Sequence, residues 1–444
     1  MLTAVREQDA YTNLALAAVL RERGLGGRDA AFATELVSGT VRRQGTYDAV
    51  LAACVDRPLS KVDPAVLDAL RLGAHQILAM RVPTHAAVTT TVELVRTRVG
   101  HGPAGFTNAV LRKVAGHDLA GWIRRVAPDP TRDPVGFAAV AHSHPRWVVE
   151  VLRDALTADP TELDALLGAD NASPKVTLVA RPGLATVEEL VEAGGTASAQ
   201  SPFAVELGSG DPAAVAAVAE GRAGVQDEGS QLVALALTRA AVEGRDSRWL
   251  DMCAGPGGKT ALLASMAAAR GAQVLASERQ AHRAGLVKRA TAAVTEGLTG
   301  VITADGTRPA WAPGTFDRVL VDAPCSGLGA LRRRPEARWR RTPEDLDDLV
   351  PLQERLLRSA LEGVRPGGVV AYVTCSPVVA ETSEVVERVL ADRVDTVLED
   401  AAPLFEGVPD LRAEQALLPG TVQLWPHRHG TDAMFFALLR RHDR

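Results

Sequence analysis

Eleven residues constrain the fold of this chain more than any others: Leu250-Asp251-Met252-Cys253-Ala254-Gly255-Pro256-Gly257-Gly258-Lys259-Thr260. They read as a short buried strand, a turn holding three glycines, and the start of a helix expected to reach about Arg270. Gly255, Gly257 and Gly258 carry no side chain, so backbone N–H groups at the helix start can approach a ligand closely. Such a strand–turn–helix belongs at the carboxyl edge of a parallel sheet, where open α/β folds bind ligands. The rest of the C-terminal half fits that sheet. Strands are expected at 248–252, 273–277, 300–303, 316–321 and 368–374, with helices between them. The clearest helix, Leu346 to Val364, should stop at Arg365-Pro366-Gly367-Gly368. Residues 421–425 and 433–439 are expected to add an antiparallel edge.

Ahead of this region, residues 1–140 read as all-helical. Apolar residues recur at helical spacing in 14–20, then around Leu36, Val50 and Val66. Asp63-Pro64 is a helix start, with Asp as cap and Pro at the first position. The run Ala65 to Met80 is apolar enough to be the centre of a bundle, and Gly105 to Lys113 is a helix with a basic end, Arg112-Lys113. A linker rich in Pro and Asp (127–134) follows. Residues 141–225 then read as a small α+β module: an amphipathic helix from His144-Pro145-Arg146-Trp147 to about Leu156, a strand at 175–180 and a helix at 187–192. Residues 226–444 complete the chain as the α/β domain.

Composition narrows the class. No uninterrupted apolar run reaches the length of a membrane span. Glu7 and Asp9 stand where a signal peptide needs its apolar core, so a cytoplasmic protein is expected. Cys54, Cys253, Cys325 and Cys375 show no C-x-x-C spacing and read as reduced thiols, with no metal expected. A net charge of −5 carries no global nucleic-acid signal, so any RNA binding must come from local patches.

Gly258-Lys259-Thr260 invites a phosphate-loop reading, but the glycine that motif needs five positions earlier is Cys253. A dinucleotide loop would want G-x-G-x-x-G, and 253–258 reads C-A-G-P-G-G. A nucleoside cofactor without a triphosphate fits better. Glu278 ends the second strand and suits ribose hydroxyls, while Asp305 follows the third strand and suits an adenine amino group. With Asp322, three acids then close three strands, and S-adenosylmethionine fits that set.

Two cysteines follow strand ends, in Asp322-Ala323-Pro324-Cys325-Ser326-Gly327 and Thr374-Cys375-Ser376-Pro377. Carbon 5 of a pyrimidine is a poor nucleophile. A thiolate added to C6 makes C5 enamine-like and able to attack an electrophilic methyl group; loss of H5 and of the thiolate restores the ring. The reaction also needs a carboxyl group at N3 or N4, the place Asp322 can take. Beyond the first cysteine, Leu331 to Arg341 holds six arginines, one acid and a tryptophan. Arg332, Arg333, Arg334, Arg338 and Trp339 read as a basic-aromatic surface for RNA phosphates and a stacked base.

Together, DMCAGPGGKT, DAPCSGLG, the following RRRPEARWRR and VTCS resemble the motifs of the RsmB/NOP2/Sun RNA cytosine-C5 methyltransferases, and QDEGSQL and the FFALLRR ending match as well. Residues 1–140 are similar to the NusB-like helical RNA-binding domain that the bacterial RsmB (Sun) branch carries in front. The resemblance covers nearly the whole chain. It implies a multidomain protein: an all-α NusB-like bundle, a small α+β linker module and an α/β Rossmann-like methyltransferase domain using S-adenosylmethionine. The implied target is one cytosine of 16S ribosomal RNA. Within the family pattern Cys375 is the nucleophile and Cys325 assists product release. Cofactor contacts carry over to Cys253, Ala254, Gly255, Pro256, Gly257, Gly258, Lys259, Glu278, Asp305 and Asp322, with Arg283 near the arginine often found after the ribose acid. The chain departs from the pattern in three places. Gly255 stands where many members have alanine, a change expected to be harmless. Asp432-Ala433-Met434-Phe435-Phe436 replaces Asp-Gly-Phe-Phe, and the asparagine common after Arg283 is missing. A tRNA target, and a NusB-like RNA-binding or assembly factor with a non-catalytic methyltransferase domain, are the alternatives. Cys325, Cys375 and Asp322 favour the enzyme.

Overall fold

The computed structural model describes residues 2–7, 12–156, 160–208 and 210–443; Asp9, cited above against a signal peptide, lies outside them. The chain forms two compact units.

One unit gathers Met1–Arg153, Leu163–Ser173 and Leu331–Arg341 and is helical. Its centre is the helix Pro64–Leu78, where the Asp63 carboxylate accepts from the N–H groups of Ala65 and Val66, two donors that the first turn cannot satisfy itself. This helix packs against Thr84–Arg98 and Ala104–Val114. Tyr47, Leu51, Leu70 and Leu111 between them are fully buried. The Tyr47 hydroxyl meets His75 Nδ1 at 2.8 Å, so the one polar atom of that aromatic side chain is paired inside.

The other unit comprises Asp154–Glu162, Pro174–Ala330 and Thr342–Arg444, and holds two sheets. The smaller consists of β1 (Val176–Ala180), β2 (Gly195–Ala197), β3 (Ala204–Leu207) and β4 (Ala223–Val225), antiparallel in the order β2-β3-β1-β4. Only β1 and the helix Val187–Glu192 were expected here. The other strands have three or four residues each, too few for an alternating pattern to stand out.

The larger sheet is built from β5 (Arg248–Asp251), β6 (Gln273–Glu278), β7 (Leu298–Thr303), β8 (Phe316–Asp322), β9 (Val364–Thr374), β10 (Thr396–Glu399), β11 (Val422–Gln423) and β12 (Phe435–Arg441). The order is β10-β12-β9-β8-β5-β6-β7, with β11 beside β12. The five strands β7-β6-β5-β8-β9 are parallel, and the late strands add the antiparallel edge. Phe435 and Phe436 pair with Thr374 and Val373, so Ala433 in place of glycine leaves that edge intact. The helix expected to stop at 365–368 ends earlier, at Gly363, and β9 begins at once with Val364 opposite Phe316. An irregularity between the Phe316 and Arg318 pairings absorbs the intervening residues, with Gly367 at φ 76°.

The parallel strands are covered on both faces. Along β8, Leu320 joins one core with Leu232, Leu262 and Val373; Val319 and Val321 join the other with Leu357, Leu361 and Val386. That is the period of two expected of a strand buried on both sides. Among the described residues no helix is long and apolar enough to cross a membrane.

Candidate active site

Five neighbouring parallel strands end on one edge of the sheet. With strands about 4.8 Å apart, the sequence motifs at their ends fall in a row: Asp305 after β7, Glu278 at the end of β6, the glycine turn after β5, Asp322 at the end of β8 with Cys325 beyond it, and Cys375 after β9. Acids at one end and thiols at the other thus flank a single helix start, Gly258–Ala268.

The glycine turn is tied to β6 by charge. Glu278, 4 % exposed, accepts from Gly255 N at 3.0 Å and from Gln280 N at 2.9 Å. Arg283 donates to Gly255 O at 2.7 Å and lies 3.6 Å from Glu278. An alanine at 255 would bring its Cβ to 2.3 Å from Glu278 Oε2 and 2.9 Å from Arg283 Nε, the ends of two flexible side chains that would shift to admit it. At 257 glycine is required twice, by φ 114° and by Ala290 Cβ, which an added Cβ would approach to 2.7 Å.

Buried acceptors without partners line this turn. Gln226 is 7 % exposed and its Oε1 is unpaired; the side chain lies 3.6–3.8 Å from where a Cβ on Gly258 would be. Asp251 accepts from Thr260 Oγ1 at 2.6 Å through one oxygen, and the other is unpaired. Burial pushes Asp251 up to about 7, the Thr260 hydrogen bond opposing. Cys253 is pushed up too, by burial and by the carboxylates of Asp251, Asp322 and Glu278. A glycine turn, an acid on the next strand and orphaned acceptors for a cationic group fit an aminoacyl nucleoside such as S-adenosylmethionine. Asp305 is more committed than the sequence suggests: it accepts from Thr307 N and Oγ1, which lowers its pKa, and Arg279 lies 3.9 Å away.

At the other end Lys259 donates to Asp322 at 2.9 Å. Burial alone would lower the Lys259 ammonium, but Asp322 outweighs it and the pKa is raised, with Cys375 adding to the effect. Cys325 Sγ and Cys375 Sγ are 3.4 Å apart, both partly exposed. The Cys325 thiol is pushed well above its ordinary value by its hydrogen bond to Cys375, then by burial and nearby negative charge, including Glu381 and Asp322. Backbone bonds stitch the two loops together: Gly329 N donates to Cys375 O at 2.9 Å, and Ala433 N to Gly329 O at 2.8 Å.

The arginine-rich stretch departs from expectation. Leu331–Arg341 belongs to the helical unit, and much of it is buried. Arg338 is fully buried and donates to Ser143 O, Asn171 Oδ1 and Asp170 O; burial pushes its guanidinium down to about 10. Arg332 is 8 % exposed and its carbonyl accepts from Arg42, itself 6 % exposed. Trp339 Nε1 donates to Val41 O at 3.3 Å, and the ring fills the space beside Gly45. Arg338, Arg332 and Trp339 are anchors of the helical unit rather than an RNA-facing surface. Arg333 is half-buried and Arg334 exposed. Gln226, which opens the QDEGSQL motif but was given no role, and Glu381, which sequence reasoning passed over because no spacing marks it out, stand beside the predicted residues. Among the described residues no group of His, Cys, Asp and Glu could hold a metal.

Comparison with known proteins agrees with this architecture. The model of the family described as 16S rRNA methyltransferase RsmB/F matches residues 240–440, and that of the NusB family matches 1–116. A Mycobacterium tuberculosis protein whose name goes no further than methyltransferase is 53% identical, covering 99% of this chain and 94% of the relative. The ribosomal RNA small subunit methyltransferase B of Pseudomonas putida is 32% identical (88% and 87% covered), and that of Xylella fastidiosa 31% (93% and 92%). The crystal structure of PH0851 superposes with a TM-score of 0.78 at 22% identity, over 96% of this chain and 93% of the other. NSun6 from Pyrococcus horikoshii, solved with SFG, gives 0.57 at 16% identity (68% and 99%).

Proposed function

Because this chain belongs to the RsmB family of 16S ribosomal RNA methyltransferases, we propose that it methylates C5 of one cytosine in 16S rRNA through a covalent bond from Cys375 to C6. The observation that carries the reading is the pair of sulfurs 3.4 Å apart at adjacent strand ends, beside the Lys259–Asp322 pair. S-adenosylmethionine is the methyl donor and supplies an electrophilic methyl group on a sulfonium sulfur. Cys253 through Lys259, Glu278, Asp305, Asp322 and Arg283 are its contacts. Cys375 adds to C6 as a thiolate, and Lys259 offers the positive charge that favours the anion. Asp322 holds the base at N3 or N4, so electron density pushed from C6 reaches C5. Once C5 carries the methyl group, Cys325, which has first released its own proton to solvent, takes H5 as a thiolate; the C6–S bond then breaks and its electron pair returns to Cys375. Residues 1–140 contribute RNA affinity and target choice.

Tritiated S-adenosylmethionine with 16S rRNA, followed by bisulfite sequencing, tests the product. In the same assay Cys375→Ala should abolish methylation and leave no adduct. Cys325→Ala should stall on methylated RNA as a complex that survives a denaturing gel. A stable adduct in the Cys375 variant instead would reverse the two roles, and full activity in both would end the covalent mechanism.

A further inference from the structure

Inside the sheet edge, behind the two thiols, lies a carboxylate that the reaction above does not use. Glu381 ends the short helix Val379–Glu381 and is fully buried. One oxygen accepts from Ser326 N at 2.7 Å and Gln353 Nε2 at 3.0 Å; the other accepts from Ser326 Oγ at 2.5 Å and Ser376 Oγ at 2.6 Å. The two serine hydroxyls are 3.0 Å apart. Each serine directly follows a cysteine, Cys325 or Cys375. Gln353 also donates to Pro324 O at 2.8 Å, so Cys325 is bracketed on both sides by the same network. The Glu381 carbonyl in turn accepts from Tyr372 on β9.

We propose that Glu381 is a positioning residue: its carboxylate fixes the Pro-Cys-Ser and Thr-Cys-Ser loops in register, so that Cys325 and Cys375 reach the same pyrimidine edge in succession. The proposal rests on the covalent reading above. Burying a carboxylate is costly unless hydrogen bonds or a cation compensate, and among the described residues no lysine, arginine or histidine pairs with Glu381. Serine loops needing only a scaffold could be held by neutral or apolar contacts at less cost. What a carboxylate adds is acceptor capacity for several donors at once, here from both cysteine loops and from the helix Asp345–Gly363 behind them. Its charge also stands near Cys325 and raises that thiol's pKa.

The test pairs Glu381→Gln, which keeps the shape but loses the charge and one acceptor, with the double variant Ser326→Ala/Ser376→Ala, which leaves Glu381 in place. Phenylarsine oxide binds tightly only when two thiols bridge its arsenic, so its rate of uptake reports the Sγ–Sγ relation without RNA or cofactor. Uptake should slow at least tenfold in whichever variant folds. The kcat for 16S rRNA methylation should fall by up to about a hundredfold, the scale of a misplacement near 1 Å, while KM for RNA and the S-adenosylmethionine Kd stay within twofold. Wild-type uptake in a folded variant would overturn the proposal. So would KM, Kd and thermal stability worsening together with kcat, which marks a folding role. If uptake slows as expected but the wild type does not methylate C5 of 16S rRNA, the positioning role stands and the functional reading falls.

Discussion

Replacing Arg338 by alanine should destabilise the helical unit by ~3 kcal/mol, the balance of two opposing effects. The side chain has no exposed surface and donates to Ser143 O, Asp170 O and Asn171 Oδ1. Each acceptor left inside without a donor costs about 1–3 kcal/mol, or ~6 kcal/mol for the set. Against that, the buried guanidinium is itself unfavourable: its pKa is pulled from 12.5 to about 10. At ~1.4 kcal/mol per pKa unit, deleting it returns ~3 kcal/mol. The difference sits at the low end of the roughly 3–5 kcal/mol seen when one partner of a buried charged pair is removed. Arg338→Met keeps the apolar stem and separates the cavity from the lost hydrogen bonds; it should recover a part of the loss and no more. Urea unfolding of the full chain, followed by tryptophan fluorescence, measures both. If Arg338 instead faced RNA, stability would not change, and the salt dependence of RNA binding would drop by about 0.7–0.9 in log–log slope for the lost phosphate contact. That pair of results would refute the anchoring role.

Glu278→Ala should weaken S-adenosylmethionine binding by ~1–3 kcal/mol, the scale of a charged hydrogen bond, and titration calorimetry giving an unchanged Kd would remove Glu278 from the cofactor site. Asp251→Asn should flatten the pH dependence of stability. Asp251 is raised to about 7, so the folded state holds its proton more tightly than the unfolded one; the cost is absent below about pH 4 and grows to ~4 kcal/mol above about pH 7. Equal slopes for variant and wild type in urea unfolding between those pH values would show that Asp251 does not carry that cost.

How much of this was legible in the sequence depended on whether the signal was local. The glycine turn, the acids and the two cysteines each follow a strand, and a parallel topology lines up strand ends without further instruction. That is why the chain order alone gathers Asp305, Glu278, Asp322, Cys325 and Cys375 at one edge. The RNA-surface reading of Arg332, Arg338 and Trp339 fails for the opposite reason. Composition is the same for a basic surface and for a segment whose arginine is fully buried, as Arg338 is; only the partners, Ser143 and Asp170 far away in the chain, distinguish them. Glu381 carries no local mark at all. Its meaning lies in Ser326, 55 residues earlier, and in Gln353 on another helix.

The two thiols can be distinguished by what each does to the other. At 3.4 Å, a negative charge on one sulfur makes ionisation of the second costly. The largest single influence raising Cys325 is its hydrogen bond to Cys375, and the charge of Cys375 adds to it. Lys259 is held as an ammonium by Asp322 and, in part, by Cys375, so positive charge favours the anion on the Cys375 side. Both influences favour a negative charge on Cys375 over one on Cys325. In the proposed reaction, bonding of Cys375 to C6 removes its negative charge and weakens it as a hydrogen-bond acceptor. On that proposal Cys325 then loses the main cause of its elevation, so that it can release its own proton before it accepts H5. Cys375→Ala reproduces that loss permanently, so the Cys325 thiol should titrate at lower pH in this variant than in the wild type. Iodoacetamide alkylation of Cys325, followed by mass spectrometry across a pH series, reads the difference. An unchanged or upward-shifted profile would show that burial and the Glu381 and Asp322 charges alone set the thiol, and that bond formation at Cys375 does not prepare Cys325 for proton removal.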